Sequence, residues 1–190
     1  MSAPRLLHLM RHGAPMRTGL MLGHTDEPPN PAGIAACMAQ AEGLDAATII
    51  ASDLARARQA GEAIAAECGM PLHVDPRWRE LDFGAWDGRA SAEIDRGALG
   101  RFWGDPDAAP PPGGERWSAL RERVGAAIDG LPAGPALVVT HGGAMRAAMA
   151  LLCGFALPQL WAFDLPYGAL LSLRLWPGPQ RSGQIVGLWP

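Results

Sequence analysis

Leu6-Leu7-His8-Leu9-Met10-Arg11-His12-Gly13 is a short apolar run that ends abruptly in a cation, an imidazole and a glycine. Ala14 and Pro15 then break the pattern. A run of this length bounded by turn residues reads as a buried strand. Open α/β sheets bind ligands beyond the carboxyl ends of their strands. Arg11 and His12 are therefore delivered to the edge where chemistry is expected.

Outward from this stretch, strands and helices alternate. Residues 11–30 form a long loop rich in Gly, Pro and Met, and long loops without regular structure are commonly functional. Asn30-Pro31 reads as an N-cap and first-turn proline of an alanine-rich helix running to about Gly43. Ala47–Ala51 is a second strand; Ser52 or Asp53 caps the next helix, which carries Arg56 in its first turn and stops near Gly69. A third strand at Leu72-His73-Val74 leads to Trp78–Gly84. From Gly84 to Trp117 the pattern loosens into a covering excursion over one edge of the sheet. A helix from Glu115 to Asp129 follows, then a strand at Pro135–Thr140, then His141-Gly142-Gly143 and a helix to about Cys153. Strands near Ala169–Leu175 and Gln184–Leu188 close the chain. The fold class is α/β: a three-layer α/β/α sandwich with a mostly parallel central sheet, residues 1–190 forming a single domain.

Composition bounds the function. The 190 residues, 48% of them hydrophobic, suffice for one well-cored domain. A net charge of −3 excludes nucleic acid as a bulk electrostatic partner, so an anionic substrate needs a local arginine cluster. Cys37, Cys68 and Cys153 read as buried free thiols of a reducing cytoplasm. One arginine before a very short apolar run argues against a signal peptide, and Ala147–Leu157 is too short to span a bilayer. A cytoplasmic protein with no membrane partner is expected; its oligomeric state is unknown.

The reactive candidates fall on one edge. Arg11 and His12 follow the first strand, Arg56 the second, Glu80 the third, and His141 the strand at 135–140. Parallel strands share a carboxyl edge, so these five converge on one crevice across 130 positions. Their types suit phosphoryl transfer through a covalent histidine: a neutral His12 attacks phosphorus, its protonation disfavoured by neighbouring arginines. Arg11 and Arg56 supply planar forks matched to phosphate oxygens. Gly142-Gly143 opens a helix whose free N–H groups favour anions. A protonated His141 adds positive charge in the transition state. Glu80, with Asp82 and Asp87 as competitors, protonates the leaving alkoxide and then activates water. No metal or other cofactor is required, and His12, His24 and His141 lack close-spaced ligand pairs. Arg58, about 200° round its helix from Arg56, belongs to solvent. His8, inside its strand, points away from the crevice, and His73 is structural. His24 either contacts substrate or packs the first loop. Candidate substrate contacts are Gly13, Gly23, His24, Gly142 and Gly143.

Leu9-Met10-Arg11-His12-Gly13 resembles the signature of the histidine phosphatase superfamily, phosphoglycerate-mutase-like branch. The similarity continues through Gly23–Pro28, Ser52–Ala57, Glu80–Gly88, Pro112-Gly113-Gly114-Glu115 and Thr140–Gly143, in the family's order. It implies a phosphoglycerate-mutase-like fold, His12 as the phosphohistidine, Arg11, Arg56 and His141 as phosphoryl ligands, and Glu80 as proton donor. The family usually carries a glutamate after Arg-His-Gly and often an asparagine further on; here Ala14-Pro15-Met16-Arg17-Thr18 stands instead. The Glu80–Gly88 motif and the Pro-Gly-Gly-Glu loop resemble the α-ribazole phosphatase group of cobalamin synthesis and its broad-specificity relatives. The expected function is a metal-independent phosphomonoesterase acting on a small phosphorylated metabolite, with α-ribazole 5'-phosphate as one candidate. A mutase-type isomerase and a catalytically silent phospho-ligand binding module are the alternatives. Trp86, Phe102, Trp103 and Trp117 either stack on a flat substrate or form a small core of the excursion.

Overall fold

The computed structural model describes residues 3–178 and 180–190. Its elements in order are β1 (Arg5–Arg11), α1 (Pro31–Ala41), β2 (Thr48–Ala51), α2 (Ala55–Cys68), β3 (Leu72–Val74), α3 (Arg96–Gly104), α4 (Trp117–Asp129), β4 (Ala136–Thr140), α5 (Gly142–Cys153), α6 (Leu157–Leu160), β5 (Leu170–Trp176) and β6 (Ser182–Trp189), with three short 3₁₀ turns between β3 and α3. The six strands form one sheet in the order β3-β2-β4-β1-β5-β6. β1 to β4 run parallel, whereas β5 and β6 run antiparallel to the strands beside them.

Period-two alternation builds the three layers. Leu7 and Leu9 of β1, Val138 of β4 and Leu171 and Leu173 of β5 pack on one face against Leu120 and Val124 of α4 and Met145 and Ala148 of α5. Met10, Leu137, Val139 and Leu170 point to the other face, against Cys37 of α1 and Ala57, Ala60 and Ile64 of α2. His8 falls on that second face, as its place in the strand requires, and bonds Ser172 Oγ at 2.7 Å and the Asp45 carbonyl at 3.2 Å. His73 is exposed on the edge strand β3.

Local signals explain most boundaries. Asn30 caps α1 by accepting the Gly33 N–H at 2.7 Å, with Pro31 opening the helix. β1 enters α1 so closely that a Cβ on Gly13 would stand 2.0 Å from the Gly33 carbonyl oxygen. The α2 cap differs from expectation: the cap residue is Leu54, and the Ala55 N–H is taken instead by Asp26 Oδ1 at 2.6 Å. Asp53 is withdrawn from capping because it pairs with Arg79, Nε to Oδ1 at 2.7 Å. α4 starts at Trp117, not Glu115, whose carboxylate is held by Arg123. All three cysteines are free, but Cys68, last in α2, is exposed and Cys153 half-buried; only Cys37 is buried as expected.

Candidate active site

The register of β1 and β4 fixes the centre. Arg11 pairs with Thr140, and the His12 N–H donates to the Thr140 carbonyl at 2.8 Å, carrying the alignment one residue past the strands. His12 and His141 therefore stand side by side, with ring centroids 5.1 Å apart. The Ser52 N–H reaches the Val139 carbonyl at 3.0 Å, which brings the start of α2, and Arg56 with it, alongside His141.

Hydrogen bonds assign the ring nitrogens. His12 Nδ1 lies 2.8 Å from the carbonyl oxygen of Gly13, an acceptor only, so Nδ1 carries the proton and Nε2 keeps its lone pair. Burial, then the charges of Arg56 and Arg11, hold the His12 pKa well below its ordinary value. His141 is also held neutral, by burial first and by Arg56 next, so it does not bring the charge that a protonated ring would add. His141 Nε2 lies 2.9 Å from Ser52 Oγ, while its Nδ1 is buried without a partner. An anion at this centre requires the tautomer in which the Ser52 hydroxyl donates to Nε2 and the buried Nδ1 carries the hydrogen, which makes His141 a neutral donor.

Both arginines also bind the surrounding backbone. Arg56 is fully buried, and its terminal nitrogens bind the carbonyl oxygens of Leu22, Gly23 and Thr25 at 2.6–3.0 Å. It staples the first loop, leaving a buried, unpartnered Nε instead of an open fork. Arg11 gives Nη1 to the Leu165 carbonyl and lays its guanidinium 4.3 Å over the Tyr167 ring; its Nε is likewise buried and unpartnered. Arg11 Nε, Arg56 Nε and His141 Nδ1 thus form a group of buried donors without acceptors beside His12. Buried donors are normally satisfied, so such a cluster calls for an anion.

Glu80 faces this group. Its Oε2 accepts the Gly143 N–H at 3.1 Å and its Oε1 accepts the N–H of Leu81 at 2.9 Å. Arg123, clamped by Glu115, donates to the Glu80 carbonyl oxygen at 2.7 Å and fixes the segment. Both competitors are engaged elsewhere. Asp87 accepts three consecutive backbone N–H groups, from Gly23, His24 and Thr25, at 2.6–2.9 Å. Asp82 accepts the Gly84 N–H at 2.8 Å. His24 packs the loop, its Nε2 3.1 Å from the Glu80 carbonyl oxygen, and does not border the cavity. Gly13 and Gly23 do not border it either, nor do the fully buried Arg56 and His141: Gly13 abuts α1, and Gly23 is tied to Asp87 and Arg56. Gly142 and Gly143 do.

The cavity, about 270 Å³, has a polar floor of Arg11, His12, Glu80, Gly142 and Gly143. Apolar walls come from Leu20 to Leu22 of the first loop, Phe102, Trp103 and Trp117 of the excursion and its neighbour α4, and Trp161 after α6. Phe102 does both jobs expected of the excursion, packing edge-on to Trp86 at 5.7 Å while facing the cavity. Trp86 serves the core alone. Among the described residues no group of three His, Cys, Asp or Glu side chains is placed to hold a metal ion.

A profile of the histidine phosphatase superfamily (branch 1) matches residues 7–184. The chain belongs to that superfamily. A probable phosphoglycerate mutase GpmB of Yersinia pestis is 32% identical over 160 residues, spanning 78% of this chain and 74% of that protein. A mycobacterial glucosyl-3-phosphoglycerate phosphatase superposes with a TM-score of 0.84 at 25% identity, covering 96% of this chain and 97% of the other. A putative α-ribazole-5'-phosphate phosphatase of Escherichia coli shares the fold, with a TM-score of 0.84 at 24% identity over 98% of this chain and 96% of the other.

Several residues of this superfamily member, or the roles they play, escaped the sequence reading. Tyr167 lies 5.4 Å from the His12 ring, in the loop before β5. Arg123 and Asp87 hold backbone near the centre, and Ser52 sets the His141 tautomer. Arg146 borders the cavity; its spacing of four from Gly142 places both on one helix face, a signal that could have found it. The departure at Ala14–Thr18 also has an outcome: Arg17 is turned to Glu27 across the loop, Nε to Oε2 at 2.9 Å, and does not border the cavity.

Proposed function

We propose that this histidine phosphatase superfamily enzyme is a metal-independent phosphomonoesterase that passes its phosphoryl group through His12. Nε2 attacks phosphorus as the bond to the leaving oxygen breaks, and Glu80, protonated, gives that oxygen its proton. Glu80 then takes a proton from water as the water oxygen attacks the phosphohistidine, releasing phosphate and restoring the imidazole. Arg11 and Arg56 supply charge and Nε–H donors, and His141 a neutral Nδ1–H. The start of α5 adds the positive end of its helix dipole, while the Gly143 N–H holds Glu80.

The observation that carries this reading is the trio of buried, unpartnered donors beside a histidine whose free nitrogen is the nucleophilic one. The substrate is a small phosphorylated metabolite, and the apolar walls support a leaving group with apolar surface, with α-ribazole 5'-phosphate one candidate. Residues 1–190 act as one domain, and the segment at about 84–117 covers the site. Trp86, Ile94 and Phe102 support this, since they pack into the same core as Leu7 and Val138. No helix among the described residues is long and apolar enough to cross a membrane, and the proposal places the enzyme in the cytoplasm without a nucleic-acid partner.

The test is hydrolysis of phenyl phosphate with a chelator present, comparing the natural chain with His12→Ala and trapping acid-labile phosphoenzyme. Loss of turnover and of the trapped phosphate in the variant is the expected result; unchanged turnover would overturn it. A mutase reading is favoured only by the GpmB similarity. Incubation with 3-phosphoglycerate and a bisphosphate primer separates them, free phosphate marking hydrolysis and 2-phosphoglycerate isomerisation. Phosphate binding without any phosphoenzyme would mark a silent binding module.

A further inference from the structure

Tyr167 is the one tyrosine of the chain, and it stands at the reactive centre. It is the second residue of a turn over Pro166–Ala169, closed by the Ala169 N–H on the Pro166 carbonyl at 3.0 Å. Gly168 takes the third place with φ +83°, a conformation that such a turn requires and that suits glycine. The turn is tied to the end of β1 twice. The Gly168 N–H donates to the His12 carbonyl at 3.2 Å, and the Arg11 N–H to the Ala169 carbonyl at 2.8 Å. Tyr167 is thereby fixed one residue from a direct main-chain bond to the nucleophile.

Sheet order says which flank it fills. Neighbouring strands run β2-β4-β1-β5, so Arg56 and His141 reach His12 from one side and the segment entering β5 from the other. The His12 ring accordingly has a ring on each flank, His141 at 5.1 Å and Tyr167 at 5.4 Å between centroids. Arg11 stacks on the face of Tyr167, 4.3 Å from its centroid, a contact that leaves the hydroxyl available. That hydroxyl takes part in none of the hydrogen bonds that order the centre. Tyr167 is half-buried and borders the cavity, near enough to Arg56 for its charge state to matter there.

Phosphoryl transfer spreads negative charge over three equatorial oxygens around the line from Nε2 to the leaving oxygen. Arg56 Nε and His141 Nδ1 meet that group from the β4 side, and Arg11 Nε from β1 itself. An oxygen on the β5 flank is left facing Tyr167. Resting on the phosphatase reading above, we infer that the Tyr167 hydroxyl donates a hydrogen bond to the transferred phosphoryl group, on the side of His12 opposite His141. The ring and the hydroxyl then have separate tasks: the face steadies Arg11, and the O–H meets the oxygen. Tyr167 keeps its proton throughout, and the proton given to the leaving oxygen still comes from Glu80.

The experiment compares the natural chain with Tyr167→Phe and Tyr167→Leu on phenyl phosphate and 4-nitrophenyl phosphate, with vanadate as inhibitor. Tyr167→Phe keeps the ring under Arg11 and removes only the hydroxyl. Its kcat/KM is expected to fall about ten-fold or more, the worth of one hydrogen bond to a charged group. The factor is the same on both esters, because the bond is to the phosphoryl group and not to the leaving oxygen. Vanadate, which adopts the five-coordinate geometry of the transfer, loses affinity in parallel. If Tyr167→Phe matches the natural chain and only Tyr167→Leu is impaired, the ring alone matters and the inference is overturned. A loss confined to phenyl phosphate overturns it too, since the hydroxyl then serves the leaving oxygen. The ¹³Cζ signal of the single tyrosine needs no variant and is expected to move when vanadate binds. An unmoved signal with vanadate bound, as seen in the ⁵¹V spectrum, also overturns the inference. Failure of the natural chain to hydrolyse either ester refutes the phosphatase reading itself, and the ¹³Cζ response still decides whether Tyr167 meets an oxyanion.

Discussion

Gly143 leaves open the space that the Glu80 carboxylate occupies: a Cβ at position 143 would stand 2.1 Å from Glu80 Oε1. The obstacle is the end of a flexible side chain, so Gly143→Ala displaces the carboxylate and spares the backbone. Alanine in a helix gains roughly 0.5–1 kcal/mol over glycine, so thermal stability is expected to hold or rise. Turnover of a poor leaving group such as phenyl phosphate is expected to fall about 10²-fold or more, the range of general acid catalysis. The loss shrinks for 4-nitrophenyl phosphate, whose phenolate leaves without help. Equal losses on both esters would remove Glu80 from the acid role.

Ser52→Ala removes the hydroxyl that holds His141 Nε2. A buried acceptor left unpaired costs about 1–3 kcal/mol, and the ring is free to move its proton from Nδ1 to Nε2. The expected outcome is a fall in kcat of about ten-fold and a change of tautomer in the ¹⁵N spectrum of the His141 ring. Retention of the Nδ1–H tautomer with unchanged kcat would refute the assignment.

Asp87→Asn replaces a carboxylate that accepts three adjacent N–H groups with an amide offering one acceptor oxygen. About 2 kcal/mol of local stability is expected to go, with faster hydrogen exchange at Gly23 to Thr25. Because Arg56 grips the same loop, KM for substrate rises as well. Unaltered exchange over 23–25 would count against the clamp.

Stability is expected to fall with acidity. His12 and His141 have folded pKa values lowered from 6.5, so below that pH the unfolded chain binds more protons than the folded one. Their contribution is whole above 6.5 and is lost as pH falls beneath it, at about 1.4 kcal/mol per pH unit for each ring. Denaturant unfolding at pH 7.5 and 5.5 checks it: His141→Gln flattens the dependence by roughly 1.4 kcal/mol over that interval. An identical slope in the variant would show that His141 is not held neutral.

The fold was legible because its strongest signals are local and repeated. Two apolar strands each end in His-Gly, and Asn30-Pro31 opens a helix as it should. The centre was legible for the same reason: parallel strands bring Arg11, His12, Arg56, Glu80 and His141 to one edge whatever the loops do. What escaped depends on contacts between distant segments. The α2 cap comes from Asp26, 29 positions away, and Asp87 reaches back more than 60 positions to the first loop. His24, Gly13 and Gly23 flank reactive residues in the chain, and the backbone segments they pack against, from Glu80, Gly33 and Leu81, are distant in sequence.

β5 enters the sheet where β1 leaves it, Leu170 beside Met10. Because that strand travels the opposite way, the segment leading into it arrives at the reactive rim instead of the far end, bringing Leu165 and Tyr167 against Arg11. The recess is consequently walled by chain approaching as well as chain departing. The stretch from Gly154 to Asp164 supplies none of the five reactive side chains and precedes both contacts to Arg11, yet carries Leu157 and Trp161 of the wall, so grafting a different segment there is a direct way to alter which molecules are admitted while the phosphorus chemistry stays as it is.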